Sequence, residues 1–137
     1  MDLLVVILVD GLIYGAWLFI VSVGLTLVFG VLNVLNIAHG SMYAIGAYAT
    51  ATAVGLYFAN GGDAFPLGSY AVMVLAAVLV ALVVGPVMER GLLRYFYGRG
   101  EVVIVLVTYG VFLILEDLMK LIWGVVPYYV SQPYALL

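Results

Sequence analysis

The run from Gly11 to Gly62 contains no Asp, Glu, Lys or Arg, and charged residues make up only 8% of the 137-residue chain. Globular domains carry about 25% charged residues, so a soluble domain of this size could not fold around so long an uncharged stretch. Cysteine is absent, which excludes a disulfide framework and any thiolate metal site. Histidine occurs once, at His39, so a metal site made by this chain alone would lack its usual imidazole set. Four basic residues face seven acids, and the acids (Asp2, Asp10, Asp63, Glu89, Glu101, Glu116 and Asp117) are scattered along the chain. No nucleic-acid partner is expected from such a distribution.

What fills the chain instead is apolar: 68% of residues are hydrophobic and the mean hydropathy is +1.33. A helix needs about 20 mostly apolar residues to cross some 30 Å of hydrocarbon. Breaks in hydropathy give four such spans, at about 3–35 (starting at Leu3 or at Gly11), 39–59, 69–88 and 102–122. All four are expected to be helices, because lipid leaves no backbone group unpaired and one short chain cannot close a barrel. The expected fold class is therefore all-α: a polytopic membrane protein forming a single transmembrane domain over residues 1–137. The first span is longer than the hydrocarbon core and must tilt, bend or overhang, with Gly30 as a plausible bend. A cleaved signal peptide is not expected, because Asp2 stands where a positive segment belongs and the apolar stretch is too long.

Arg90, Arg94 and Arg99, three of the four basic residues, fall between the third and fourth spans. The positive-inside rule places that linker in the cytoplasm and the N-terminus outside. Tyr57, Phe58, Tyr95 to Tyr97, Trp123, Tyr128 and Tyr129 fall where interfacial aromatic anchors are expected.

On the first helix, Gly11, Gly15, Ser22, Thr26, Asn33 and Asn36 project within roughly an 80° sector. Small residues permit close helix approach, and amides and hydroxyls in hydrocarbon seek partners on another helix or along a watery path. The second helix carries a polar stripe of His39, Tyr43, Gly46 and Thr50 beside a small-residue stripe of Gly40, Ala44, Ala47, Ala51 and Gly55. Two readings coexist: Ser22, Thr26, Asn33, Asn36, His39, Tyr43 and Thr50 border a translocation route, or these faces serve packing alone. The first two helices are expected to pack through Gly11, Gly15, Gly40, Ala44, Ala47 and Ala51. Asn36 or Ser41 would supply a capping oxygen at the turn into the second helix. In the fourth span, Lys120 lies four residues after Glu116 and three after Asp117, so a local ion pair is expected. No nucleophile and base pair, phosphate-cradling loop or metal-ligand spacing occurs, so no enzyme activity and no metal are expected.

The segment GLTLVFGVLNVLNIAHGSMYAIGAY, Gly24 to Tyr48, resembles the N-terminal part of branched-chain amino acid ABC transporter permeases, matching at Asn36, Ala38, His39, Gly40, Gly46, Ala47 and Tyr48. MERGLLRYFYGRG is similar to the family's linker at Glu89, Arg90 and Arg94, with Tyr95 where proline is usual and a longer spacing to Arg99. TYGVFLILEDLMKLIWG, Thr108 to Gly124, is similar to the next span. Family members are about twice this length, so the resemblance implies the N-terminal part of a permease completed by further sequence or by another polypeptide. It also implies a prokaryotic inner-membrane importer of leucine, isoleucine, valine or a related small solute. The expected partners are a second permease subunit, ATP-binding cassette subunits that consume the ATP, and an extracytoplasmic solute-binding protein; the chain itself would bind no cofactor. From other classes, an oligomeric channel or facilitator, or a membrane scaffold, would use the same faces without ATP.

Overall fold

The computed structural model describes residues 2–126 and 129. Among these the chain is all-helical, with no strand: α1 (Asp2–Leu32), α2 (His39–Ala59), α3 (Gly68–Gly91) and α4 (Glu101–Trp123), with short 3-10 turns at Gly62–Ala64 and Leu93–Tyr95. Each of the four helices is long and apolar enough to cross a membrane. Large apolar side chains are exposed along all of them, as a bilayer solvent requires.

The predicted bounds of α2 agree with the structure at both ends, and those of α3 and α4 fall one to three residues short. α1 differs more. It runs through Gly30 as one helix of 31 residues, about 46 Å at 1.5 Å per residue, and stops at Leu32 instead of Leu35. The stop is Asn33, whose φ of 51° lies in the left-handed region that asparagine tolerates better than other side chains. Its N–H donates to Phe29 O at 2.9 Å, which closes the helix end.

The corner that follows is fastened to α4. Thr108 is fully buried, and its hydroxyl oxygen accepts the N–H of Ile37 at 3.2 Å. Its single proton goes to Val105 O at 3.1 Å, a better acceptor than Leu35 O at 3.5 Å. Beside it Val34, Leu93 and Ile104 form a small apolar core with Phe96 packed against it. This core joins the corner, the linker and the start of α4. Two turns before the C-terminal end of α2, Thr52 accepts the indole N–H of Trp123 at 2.8 Å and donates to Tyr48 O at 2.9 Å. Trp123 also lies 5.3 Å from the Tyr48 ring. Thr108 at the base of α2 and Trp123 farther along it make α2 and α4 run parallel. Trp123, expected as an interfacial anchor, is therefore an interhelical link.

α2 packs most extensively on α3. The loop between them is sealed by Tyr57, whose hydroxyl donates to Phe65 O at 2.7 Å. The ring lies so close to the backbone that a Cβ at Gly62 or at Gly68 would overlap it. Ser69 Oγ donates to Pro66 O at 2.6 Å and starts α3 in a buried setting. Of the other expected interfacial aromatics, Tyr95 and Tyr129 are exposed, whereas Tyr128 falls outside the described residues.

Candidate functional site

A groove of about 760 Å³ is bordered by α1, α2 and α3. Its α2 wall is formed by His39, Tyr43, Gly46 and Thr50, the stripe set by four, three and four residue steps, so the polar groups face one side together. From His39 to Thr50 the stripe climbs about 16 Å, half the hydrocarbon thickness. Ala47 and Ala51 line the same groove, and α3 closes it with small and medium side chains such as Ala77, Val80 and Gly85. Among the described residues no charged side chain lines it. Its polar groups are the imidazole and two hydroxyls, set in an apolar wall.

α1 touches α2 at two places. The indole N–H of Trp17 donates to the Tyr43 hydroxyl, with the rings 5.7 Å apart. Seven residues on, the His39 ring fits against Gly24, where a Cβ would stand 3.0 Å from Nε2. Seven residues are two helical turns, so Trp17, Ile20, Val21 and Gly24 share the face that meets α2 and the groove. That face lies about 160° around α1 from the sector of Gly11, Gly15, Ser22, Thr26 and Asn33. The expected approach of α1 to α2 through Gly11 and Gly15 is thus not made: both are exposed, and a Cβ on either would meet nothing within 4 Å. The physical reason is the Trp17 to Tyr43 bond and the ring seated on Gly24, which set the rotation of α1. Gly40 is likewise exposed with open space around it, while Ala44 is half-buried.

The remaining candidate residues separate by place. Ser22 donates to Leu18 O and Thr26 to Ser22 O, each at 2.8 Å, so both hydroxyls are satisfied on α1 itself and face outward. Asn33 ends α1. Asn36 is buried at the corner, and its Oδ1 accepts the N–H of Ala38 at 3.0 Å. That residue precedes α2, so the bond closes the turn, and neither Asn36 nor Ser41 caps the helix. Glu89 and Arg90 sit in the last turn of α3, Arg94 in the following 3-10 turn and Arg99 just before α4. Glu89 accepts the Tyr97 hydroxyl at 2.6 Å. Burial first, and then this bond and the carboxylate charge, push the Tyr97 phenol up to about 12. On α4, Lys120 Nζ lies 2.7 Å from Glu116 and 3.9 Å from Asp117, the expected local pair. Among the described residues no three His, Asp or Glu side chains gather as a metal site.

Sequence reasoning did not single out Trp17, Gly24 or Thr52. The seven-residue spacing of Trp17 and Gly24 was the available signal for a contact face; Thr52 lies about 150° around α2 from the polar stripe and gave none.

A family model described as the permease component of branched-chain amino acid transport systems matches residues 7–134. The chain is 30% identical over 114 residues to the high-affinity branched-chain amino acid transport system permease protein BraD of Pseudomonas aeruginosa. That match covers 83% of this chain and 37% of the relative. It is 24% identical over 115 residues to the corresponding LivH proteins of Salmonella typhimurium and Salmonella typhi, covering 84% of this chain and 37% of each. The matched region thus spans little more than a third of these relatives' length. No solved structure matches.

Proposed function

The chain belongs to the family of branched-chain amino acid transport permeases, and on that premise we propose that it forms part of the membrane pathway of an ATP-driven importer for leucine, isoleucine, valine or a related small solute. It is a multi-pass membrane protein and a permease-family transporter component. In this reading, partner ATPase subunits consume the ATP, a solute-binding protein delivers the substrate, and a second permease subunit completes the pathway.

The observation that carries the reading, beyond the family, is the groove. An aliphatic solute needs apolar walls, and its polar end needs hydrogen-bonding groups at successive depths without a fixed charge that would trap it. His39, Tyr43 and Thr50 supply hydrogen-bonding groups along about 16 Å of apolar groove. Ser22 and Thr26 face away from this groove and would border a route only where another polypeptide faces α1, whereas Asn33 lies outside it, beside the linker and the start of α4. Asn36 supports the route indirectly, by holding the corner from which α2 starts.

The test is uptake of labelled leucine into vesicles holding this chain with its permease partner, the ATPase subunits, the binding protein and ATP. Concentrative uptake that falls at least tenfold in His39→Ala and Thr50→Val, while ATPase assembly persists, is the expected result. Passive flux independent of ATP would overturn the importer reading in favour of a channel. This chain without its permease partner should give no concentrative uptake.

A further inference from the structure

Arg90, Arg94 and Arg99 are all exposed, and among the described residues none is in a salt bridge; the ion pairs found belong to Lys120. Their acidic neighbours are otherwise engaged. The Glu89 carboxylate accepts the Tyr97 hydroxyl at 2.6 Å, and Glu101 occupies the first turn of α4, where the helix dipole favours an anion. The segment that carries the arginines is also fastened. Leu93 is buried against Val34 and Ile104, Phe96 packs on that cluster, and the Arg99 guanidinium sits over the Phe96 ring, 5.7 Å from its centroid. Three unpaired guanidinium groups are therefore displayed from a fixed platform.

The level of that platform follows from the helices that enter and leave it. α3 ends at Gly91 and α4 begins at Glu101, and both are spans, so the linker between them lies where hydrocarbon gives way to headgroups. Tyr95 and Tyr97 are exposed beside the arginines, a side-chain type suited to that level. The linker holds no helix longer than a single 3-10 turn, so it does not project far from the bilayer.

We propose that Arg90, Arg94 and Arg99 form a binding surface for the phosphodiester of an anionic phospholipid. A guanidinium presents parallel N–H donors that match two phosphate oxygens at once, and the surface potential of an anionic leaflet draws basic groups at the membrane edge. The headgroup phosphate is held by guanidinium N–H donors of these arginines, and the acyl chains run along the exposed apolar side of α3. This assignment is independent of the transport reading and of which way the chain faces.

The experiment is native mass spectrometry of the purified full chain after exchange into mixed micelles of phosphatidylglycerol and phosphatidylcholine. Phosphatidylglycerol should be retained in preference, by about fivefold for each arginine engaged. The triple variant Arg90→Gln, Arg94→Gln, Arg99→Gln should lose the preference, and the corresponding triple lysine variant should keep part of it, because charge remains but the planar fork is gone. If the triple glutamine variant fails to keep wild-type helicity, Arg94→Gln alone should still lower the preference by one such step. Equal retention of the two lipids, or a preference unchanged by the glutamine variants, would overturn the proposal. Displacement of phosphatidylglycerol by excess inorganic phosphate would identify a free-anion site instead and equally overturn it. So would a finding that the glutamine variants abolish ATPase-subunit binding in phosphatidylcholine while leaving lipid retention untouched, since that marks a protein-docking surface.

Discussion

The indole N–H of Trp123, in the last turn of α4, donates to the Thr52 hydroxyl in the second half of α2 at 2.8 Å, and that hydroxyl passes its own proton to Tyr48 O. Every group in the relay has a partner, and one tryptophan joins two parallel spans far from the Thr108 bond to the corner that precedes α2. In lipid, where apolar helix faces gain little from meeting each other, such bonds carry a large share of helix association.

A double-mutant cycle of Trp123→Phe and Thr52→Val should therefore give a coupling of about 0.6 to 1.7 kcal/mol. Unfolding midpoints of the four proteins in one detergent provide it. Strict additivity would show that the bond is not made in the folded chain.

Thr108→Val keeps the shape of the side chain but removes the acceptor of the Ile37 N–H in a fully buried site. The stranded donor should cost about 1 to 3 kcal/mol. Thr108→Ser, which keeps the hydroxyl, should recover most of that stability in the same unfolding assay.

The two faces of α1 make opposite predictions. Gly24→Leu pushes into the His39 ring and should destabilise the chain by about 1 to 3 kcal/mol through overpacking, an effect relieved when His39 is also replaced by Ala. Gly15→Leu, on the outward face, meets nothing and should leave the unfolding midpoint of the isolated chain unchanged. Equal effects at the two positions would contradict the rotation of α1 described above.

Tyr97 gives a pH signature. Its folded-state value, raised from 10.0 to about 12, means that the folded chain holds the phenol proton more tightly than the unfolded chain. The associated stability is complete below pH 10 and is lost as pH rises through 12. Tyr97→Phe should remove that part of the alkaline loss, and Glu89→Gln should narrow its window. Stability profiles of the variants that superimpose on the wild type between those limits would refute the assignment.

Orientation is tested by labelling. Single cysteines at Ala64 and Tyr95, both exposed and in opposite loops, should react with an impermeant thiol reagent from opposite sides, Ala64 from outside. Gly62 is unsuitable because a side chain there would strike Tyr57, and Gly98 because its φ is +85°. Reaction of both cysteines from the same side would exclude an arrangement in which three arginines hold the α3 to α4 linker inside.

The sequence by itself determined the solvent and the elements. An uncharged run from Gly11 to Gly62 admits only a bilayer, and in a bilayer unpaired backbone groups leave helices as the one available form. It also determined which residues of α2 share a side, because helical periodicity needs no partner: His39, Tyr43, Gly46 and Thr50 line one groove as their spacing requires. The end of α1 was less legible, since apolar character continues to Leu35 and only the left-handed backbone of Asn33 stops the helix. What tertiary structure alone decided is where each face looks. Periodicity fixes a stripe relative to its own helix axis, but the rotation of that helix depends on contacts with another, and for α1 those are Trp17 with Tyr43 and Gly24 with His39. Two contacts across a helix pair therefore turned the small, polar side of α1 outward, and no property of α1 read in isolation specifies that direction.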